Sequence, residues 1–252
     1  MKTIALMYHD VYLETPHESG LQNAGSQKYK VRLCDFEKQV KAVVDHCRAK
    51  EIPLSRVMFT FDDGGSSFSK FIAPILDANG LKGYFFVSTH YLGTDGFMTH
   101  DEVADLHQKG HIIGTHSHTH PANLSKCDEK TIEQEWEKSV RCLQEIIQTP
   151  VVCASLPAGY ISEPIIKQLS SCGIHKVFTS MPTTRQEAIA GMTFIGRYPV
   201  TCSMTERHVI NIFLKHSYVR CLKSIKWHIL TVVKSLLGDN YLRIRSEILS
   251  KM

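Results

Sequence analysis

Short apolar runs alternate with amphipathic stretches along most of this chain. The runs at 3–8, 57–61, 83–87, 112–115, 151–156 and 176–179 have the length and the β-branched and aromatic content of buried strands. Within 34–50, Phe36, Val40, Val43, Val44 and Cys47 recur at helical spacing, and Asp35 lies near the start, where a carboxylate suits the helix dipole. Segments 68–79, 100–109, 128–148 and 164–172 repeat this pattern, and Gly80, Gly110 and Gly173 stand where a helix stops on a left-handed residue. Strands alternating with helices predict an α/β fold built as a parallel barrel. Residues 11–30, polar and glycine-containing, predict a long loop after the first strand, and loops of that length usually serve a site or move. Near residue 206 the pattern changes: Ile225, Ile229, Val232, Val233, Leu236 and Leu237 fall on one helical face. We therefore expect one main domain over 1–205 and a helical extension over 206–252.

Composition adds limits. With 252 residues, 43% hydrophobic and 21% charged, the chain can bury one sizeable core plus an appendage. The net charge is +4, and no basic run interleaved with aromatics marks a nucleic-acid groove, so nucleic acid is not expected as a partner. The charge is unevenly spread, because 207–252 holds nine Lys/Arg against Asp239 and Glu247. A basic amphipathic helix there is compatible with docking on the barrel, basic face in water, or with peripheral contact to an anionic membrane surface. Eight cysteines without CxxC pairs signal neither a zinc ribbon nor a redox motif. The opening residues are too short an apolar stretch for a signal peptide, and no run approaches a membrane span. A cytoplasmic protein, at most peripheral at the inner membrane, is the expectation. Oligomeric state is not legible.

Two clusters carry chemistry. Thr60-Phe61-Asp62-Asp63-Gly64 follows an apolar run, which puts adjacent carboxylates at the carboxyl end of a buried strand, where parallel barrels place their sites. Neighbours at a strand end can diverge, one carboxylate ligating a metal while the other stays ionised as a general base. A solvated Asp-Asp-Gly turn is the plainer account of this motif alone. Gly114-Thr115-His116-Ser117-His118-Thr119-His120-Pro121 holds histidines at i, i+2 and i+4. If the segment turns helically, His116 and His120 converge on one cation with a carboxylate as third ligand and an open position, while His118 faces elsewhere. That donor set suits a catalytic zinc, with cobalt or nickel as alternatives.

On these two motifs the chain resembles the polysaccharide deacetylase family with the NodB homology domain, carbohydrate esterase family 4, over roughly residues 1–200. The resemblance implies a distorted (β/α) barrel, here carrying the basic helical extension. It implies a metal-dependent hydrolase removing an N-acetyl or related N-acyl group from an amino sugar of a polysaccharide, an oligosaccharide or a lipid-linked glycan. It assigns Asp62 as base and Asp63, His116 and His120 as metal ligands. Leu6-Met7-Tyr8-His9 and Met98-Thr99-His100-Asp101-Glu102-Val103 also resemble members acting in exopolysaccharide metabolism.

Two departures stand out. The family's Arg-x-Pro-x-Gly is Ser155-Leu156-Pro157-Ala158-Gly159 here, so Ala158 can still donate its backbone N–H to an oxyanion, but the arginine that orients the base is missing. Arg197, in Gly196-Arg197-Tyr198-Pro199, is the candidate replacement from a late strand end. The motif ending in the acid histidine is also absent, and His9, following the first strand, is the candidate substitute. These gaps keep two other readings open: a member that binds metal or sugar without turnover, and a hydrolase of a small amide.

Overall fold

The computed structural model describes residues 3–237. Its strands are β1 (Ile4–Tyr8), β2 (Val11–Tyr12), β3 (Val31–Arg32), β4 (Val57–Phe61), β5 (Gly83–Val87), β6 (Ile112–Thr115), β7 (Cys153–Ser155), β8 (Lys176–Thr179), β9 (Gln186–Ile189), β10 (Met192–Gly196) and β11 (Tyr198–Pro199). The helices are α1 (Ala24–Gln27), α2 (Leu33–Ala49), α3 (Ala73–Ala78), α4 (His100–Gln108), α5 (Glu129–Ile147), α6 (Glu163–Ser171), α7 (Glu206–Phe213) and α8 (Tyr218–Leu237). Each helix expected from periodicity forms within a residue or two, except that 68–79 opens with a π-helical turn, Phe68–Ile72, before α3. Gly80, Gly110 and Gly173 adopt φ of +68°, +83° and +76°, the left-handed stops their positions predict. Thr99 and Glu102 close a reciprocal capping box on α4, and the Asp128 side chain caps α5.

The main sheet runs β11-β1-β4-β5-β6-β7-β8-β10-β9, parallel throughout except for β9 against β10. β10 and β11 are separated only by Arg197, and the two halves of that segment pair with β8 and β1 respectively. One bent strand thereby closes the curled sheet into a distorted barrel with helices outside it. Side chains alternate across the strands. Ile4, Leu6, Tyr8, Phe59, Phe61 and Phe85 point outward into the large core shared with the helices. Ala5, Phe86, Cys153, Phe178 and Ile195 point inward and fill the barrel's floor.

The 11–30 stretch is less bare than expected. It contains β2 and α1 and is anchored by buried polar groups. Lys30 Nζ donates to the carbonyls of Pro16 and Ser19, and Asp10 accepts from the hydroxyls of Ser19 and Ser67. α7 buries Val209, Ile212 and Phe213 against α2, and α8 packs on α7. Leu236 and Leu237 end α8, and residues 238–252 lie outside the described part.

Candidate active site

Inward alternation on β4 brings Met58, Thr60 and then Asp62 toward the barrel axis, and on β6 it brings Ile112, Gly114 and then His116. Gly114 is required there, since a Cβ would press on the Phe86 ring and the Cys153 carbonyl. Asp63, one residue beyond Asp62, adopts φ +88° and diverges from it. The next residue, Gly64, at φ +93°, has Val87 Cγ1 at 3.1 Å from where a Cβ would stand.

Asp63 Oδ1 lies 3.4 Å from His116 Nε2 and 3.5 Å from His120 Nε2. The sequence expectation that His116 and His120 converge is met, but through a different backbone. Ser117 and His120 are both left-handed, at φ 63° and 55°, so a tight irregular turn rather than a helix aims the two rings. His118 faces away, its Nδ1 2.9 Å from Thr89 Oγ1. The turn is held from α5: Glu135 Oε2 accepts the N–H groups of His118 and Thr119, and Oε1 accepts the Thr119 hydroxyl. His116 Nδ1–H donates to the Ser155 carbonyl at 2.9 Å, which fixes its tautomer and leaves Nε2 toward Asp63.

These residues fit a divalent cation. Donor atoms about 2.0–2.1 Å from a tetrahedral zinc stand roughly 3.3–3.4 Å apart, close to the two spacings between Asp63 and the histidines. Asp63 Oδ1 is buried and accepts no hydrogen bond, which is costly unless a cation or proton meets it. Burial alone would raise the Asp63 carboxyl, but His116, His9 and His120 hold it well below the usual carboxylate range.

Asp62 is built differently. Arg197 Nη1 and Nη2 donate to Asp62 Oδ1 and Oδ2 at 2.7 and 2.8 Å, a two-pronged ion pair with both partners buried. Burial pushes the Asp62 carboxyl up, and the Arg197 guanidinium, followed by His116, outweighs it and brings it down. Arg197 is itself fixed by Thr60 Oγ1, Ser155 Oγ and the Thr179 carbonyl, with its guanidinium over Phe86 and Phe178. Ser155 Oγ thus accepts a hydrogen bond from the same guanidinium that grips Asp62.

Ala158 sits exposed in the turn after β7 at φ 52°, two residues past Leu156. His9 extends the inward series Ala5 and Met7 on β1, beside β4, where Asp62 N donates to the Tyr8 carbonyl. Its ring stacks on Tyr29 at 4.5 Å, its Nδ1 is buried without a hydrogen bond, and it lowers both Asp62 and Asp63 electrostatically. Glu135, Asp10 and Lys30 were missed in the sequence. Glu135 alone had a local signal, as an acid on the apolar face of α5 between Ile132 and Ser139.

The sequence profile of the polysaccharide deacetylase family matches residues 50–177, about half of the chain. A chitin deacetylase of Arthroderma benhamiae is 28% identical over 138 residues, covering 52% of this chain and 35% of that protein. A chitin deacetylase of Colletotrichum lindemuthianum is 27% identical over 88 residues, covering 34% and 36%. The chain therefore spans about a third of the length of these curated relatives. Among solved structures, the Streptococcus pyogenes deacetylase PplD, in complex with acetate, superposes with a TM-score of 0.68 at 20% identity, covering 85% of this chain and 99% of that one. IcaB from Ammonifex degensii gives 0.65 at 20% identity, covering 79% and 92%. The barrel shared with these structures and the profile match spanning both the Asp-Asp and the His-rich motifs place this chain in the polysaccharide deacetylase family.

Proposed function

We propose that this chain is a metal-dependent hydrolase that removes an N-acetyl or related N-acyl group from an amino sugar of an oligosaccharide, a polysaccharide or a lipid-linked glycan. The observation that carries the reading is the division of labour between adjacent carboxylates. Asp63 faces two imidazoles with an unpaired oxygen, and Asp62 is locked to Arg197. A protein that only bound metal or sugar would have no use for an ionised base held beside the ligands by a buried arginine.

Asp63, His116 and His120 would hold the cation, with zinc, cobalt or nickel matching the donors. When bound, the cation supplies Lewis acidity, which makes water a better nucleophile at neutral pH. Asp62 Oδ accepts the proton of the attacking water, and the charge of Arg197 keeps that carboxylate ready for it. The Ala158 N–H, exposed at its turn, receives the negative oxygen developing on the acyl carbon. His9, whose Nδ1 has no protein partner, hands a proton to the leaving amine.

The test is acetate release from N-acetylated amino-sugar oligomers and lipid-linked sugars by metal-loaded protein, beside Asp62→Asn, His116→Ala and His9→Ala. Release by the wild type, lost about 100-fold or more in each variant, is the expected result. If no substrate gives acetate while the protein binds one cation through these histidines, the reading fails. Unaltered turnover by His9→Ala would remove that residue's role alone.

A further inference from the structure

Seven of the ten large apolar side chains exposed among the described residues lie between Leu214 and Val232. Tyr218, Leu222, Ile225, Ile229 and Val232 follow at intervals of four and three, so they form one stripe along α8, each 51–61% exposed. The opposite side of the helix faces the molecule. Val219 is buried, Lys223 Nζ donates to the Pro199 carbonyl, and Trp227 and Ser224 face Met181, Pro182 and Thr183 across a cavity of about 310 Å³.

The charge of this region selects what covers the stripe. Residues 214–237 contain Lys215, Arg220, Lys223, Lys226 and Lys234 and no Asp or Glu. Exposed Lys226 borders the stripe, and exposed Lys215 stands at its head. The chain as a whole is only +4, so its excess positive charge is concentrated at this end. Intervals of four and three also suit a helix–helix seam. A second copy, however, would bring the same cations against these and no carboxylate on α8 to meet them. An apolar stripe bordered by cations and empty of acids complements an anionic bilayer surface.

We propose that the outward face of α8 docks this protein on an anionic lipid surface, with the apolar stripe in the headgroup boundary and the flanking cations among the lipid phosphates. Through its opposite, inward side α8 lies beside the site. Pro199 ends β11 and Met181 lies two residues beyond β8, at the end of the barrel where Asp62 lies, and the Arg197 N–H donates to the Met181 carbonyl at 2.8 Å. A protein held on a bilayer by the outward face of α8 would then keep its site near a sugar carried on a membrane lipid. That last step rests on the deacetylase reading; the docking does not.

The test uses the full chain with vesicles of phosphatidylcholine alone and of phosphatidylcholine with about one third phosphatidylglycerol. Binding is read by flotation. Flotation with the anionic vesicles at low salt, release at about 0.5 M salt, and about fivefold weaker binding for each of Lys215→Glu and Lys226→Glu are expected. Leu222→Glu with Ile229→Glu should abolish binding. Both sets of variants should retain wild-type acetate release from a soluble oligomer. Equal binding to neutral vesicles, or none to anionic ones, overturns the proposal. So does a dimer in solution that the Leu222→Glu, Ile229→Glu pair dissociates, which would identify a second copy as the occupant. A wild type that floats but releases no acetate sinks the deacetylase reading and leaves the docking in place.

Discussion

Arg197 and Asp62 are exposed to only 1% and 3%, and each loses its ionic partner if the other is removed. Breaking a buried pair by deleting one member costs about 3–5 kcal/mol, most of it from the charge left behind. Arg197→Ala should therefore destabilise the fold by that amount and abolish turnover as well, so on its own it cannot separate structure from catalysis. Arg197→Lys can. It keeps a cation near Asp62 but loses the planar fork that meets both carboxylate oxygens together with Ser155 Oγ. The expected outcome is a midpoint much closer to wild type, with kcat lower by about 100-fold and bound metal unchanged at one per chain. Denaturant titration, acetate release and metal content measured on the same preparations check it. Unchanged turnover in Arg197→Lys would end the orienting role.

At the scale of elements, the site is a set of strand ends whose last inward residues meet, and α5 braces one of them. Glu135 ties the His118–Thr119 segment to that helix through two backbone N–H groups and the Thr119 hydroxyl, so its removal should loosen the left-handed turn that aims His120. Glu135→Ala removes both acceptor oxygens and leaves the N–H groups of His118 and Thr119 without a partner. Metal affinity should fall about 10- to 100-fold with the fold intact, measured by competition with a chromogenic chelator; unchanged affinity would mean that the turn holds itself. These braces also mark the limit of what the sequence discloses. β1, β4, β5, β6, β7 and β8, and the helices α2 to α6, were legible because one face or both faces of each are apolar at a regular period. The pair His116 and His120 was legible from spacing, yet the expected helical turn was wrong, because left-handed conformations at Ser117 and His120 leave no periodic trace. β9 to β11 went unassigned. β9 is a short, exposed antiparallel edge, and the closing strand is broken at Arg197, so neither shows an uninterrupted run. Asp10 and Lys30 act on groups brought near only by the fold, and no local pattern announces them.

For the whole molecule, the consequence is that the proposed cation site exists only when the barrel is closed. Asp63 comes from the end of β4, His116 and His120 follow β6, and Ser155, which fixes the His116 tautomer, ends β7. An unfolded chain has nothing that brings these donors within reach of one another, so a cation bound by the native state stabilises it by RT ln(1 + [L]/Kd). At free metal 1,000-fold above Kd that is about 4 kcal/mol. At roughly 2–4 °C per kcal/mol for a chain of this size, zinc added to metal-free protein should raise Tm by about 8–16 °C. His116→Ala and His120→Ala should lose the rise, whereas His118→Ala, whose ring bonds Thr89, should keep it. A scanning calorimeter or a fluorescence melt with and without zinc reads the difference. A rise that persists in His116→Ala would place the cation elsewhere, and the neighbouring rings of His90 and His118, 5.6 Å apart, would be the first place to look. A rise lost only with His116 and His120 would tie folding and the metal site to the same closure of the barrel.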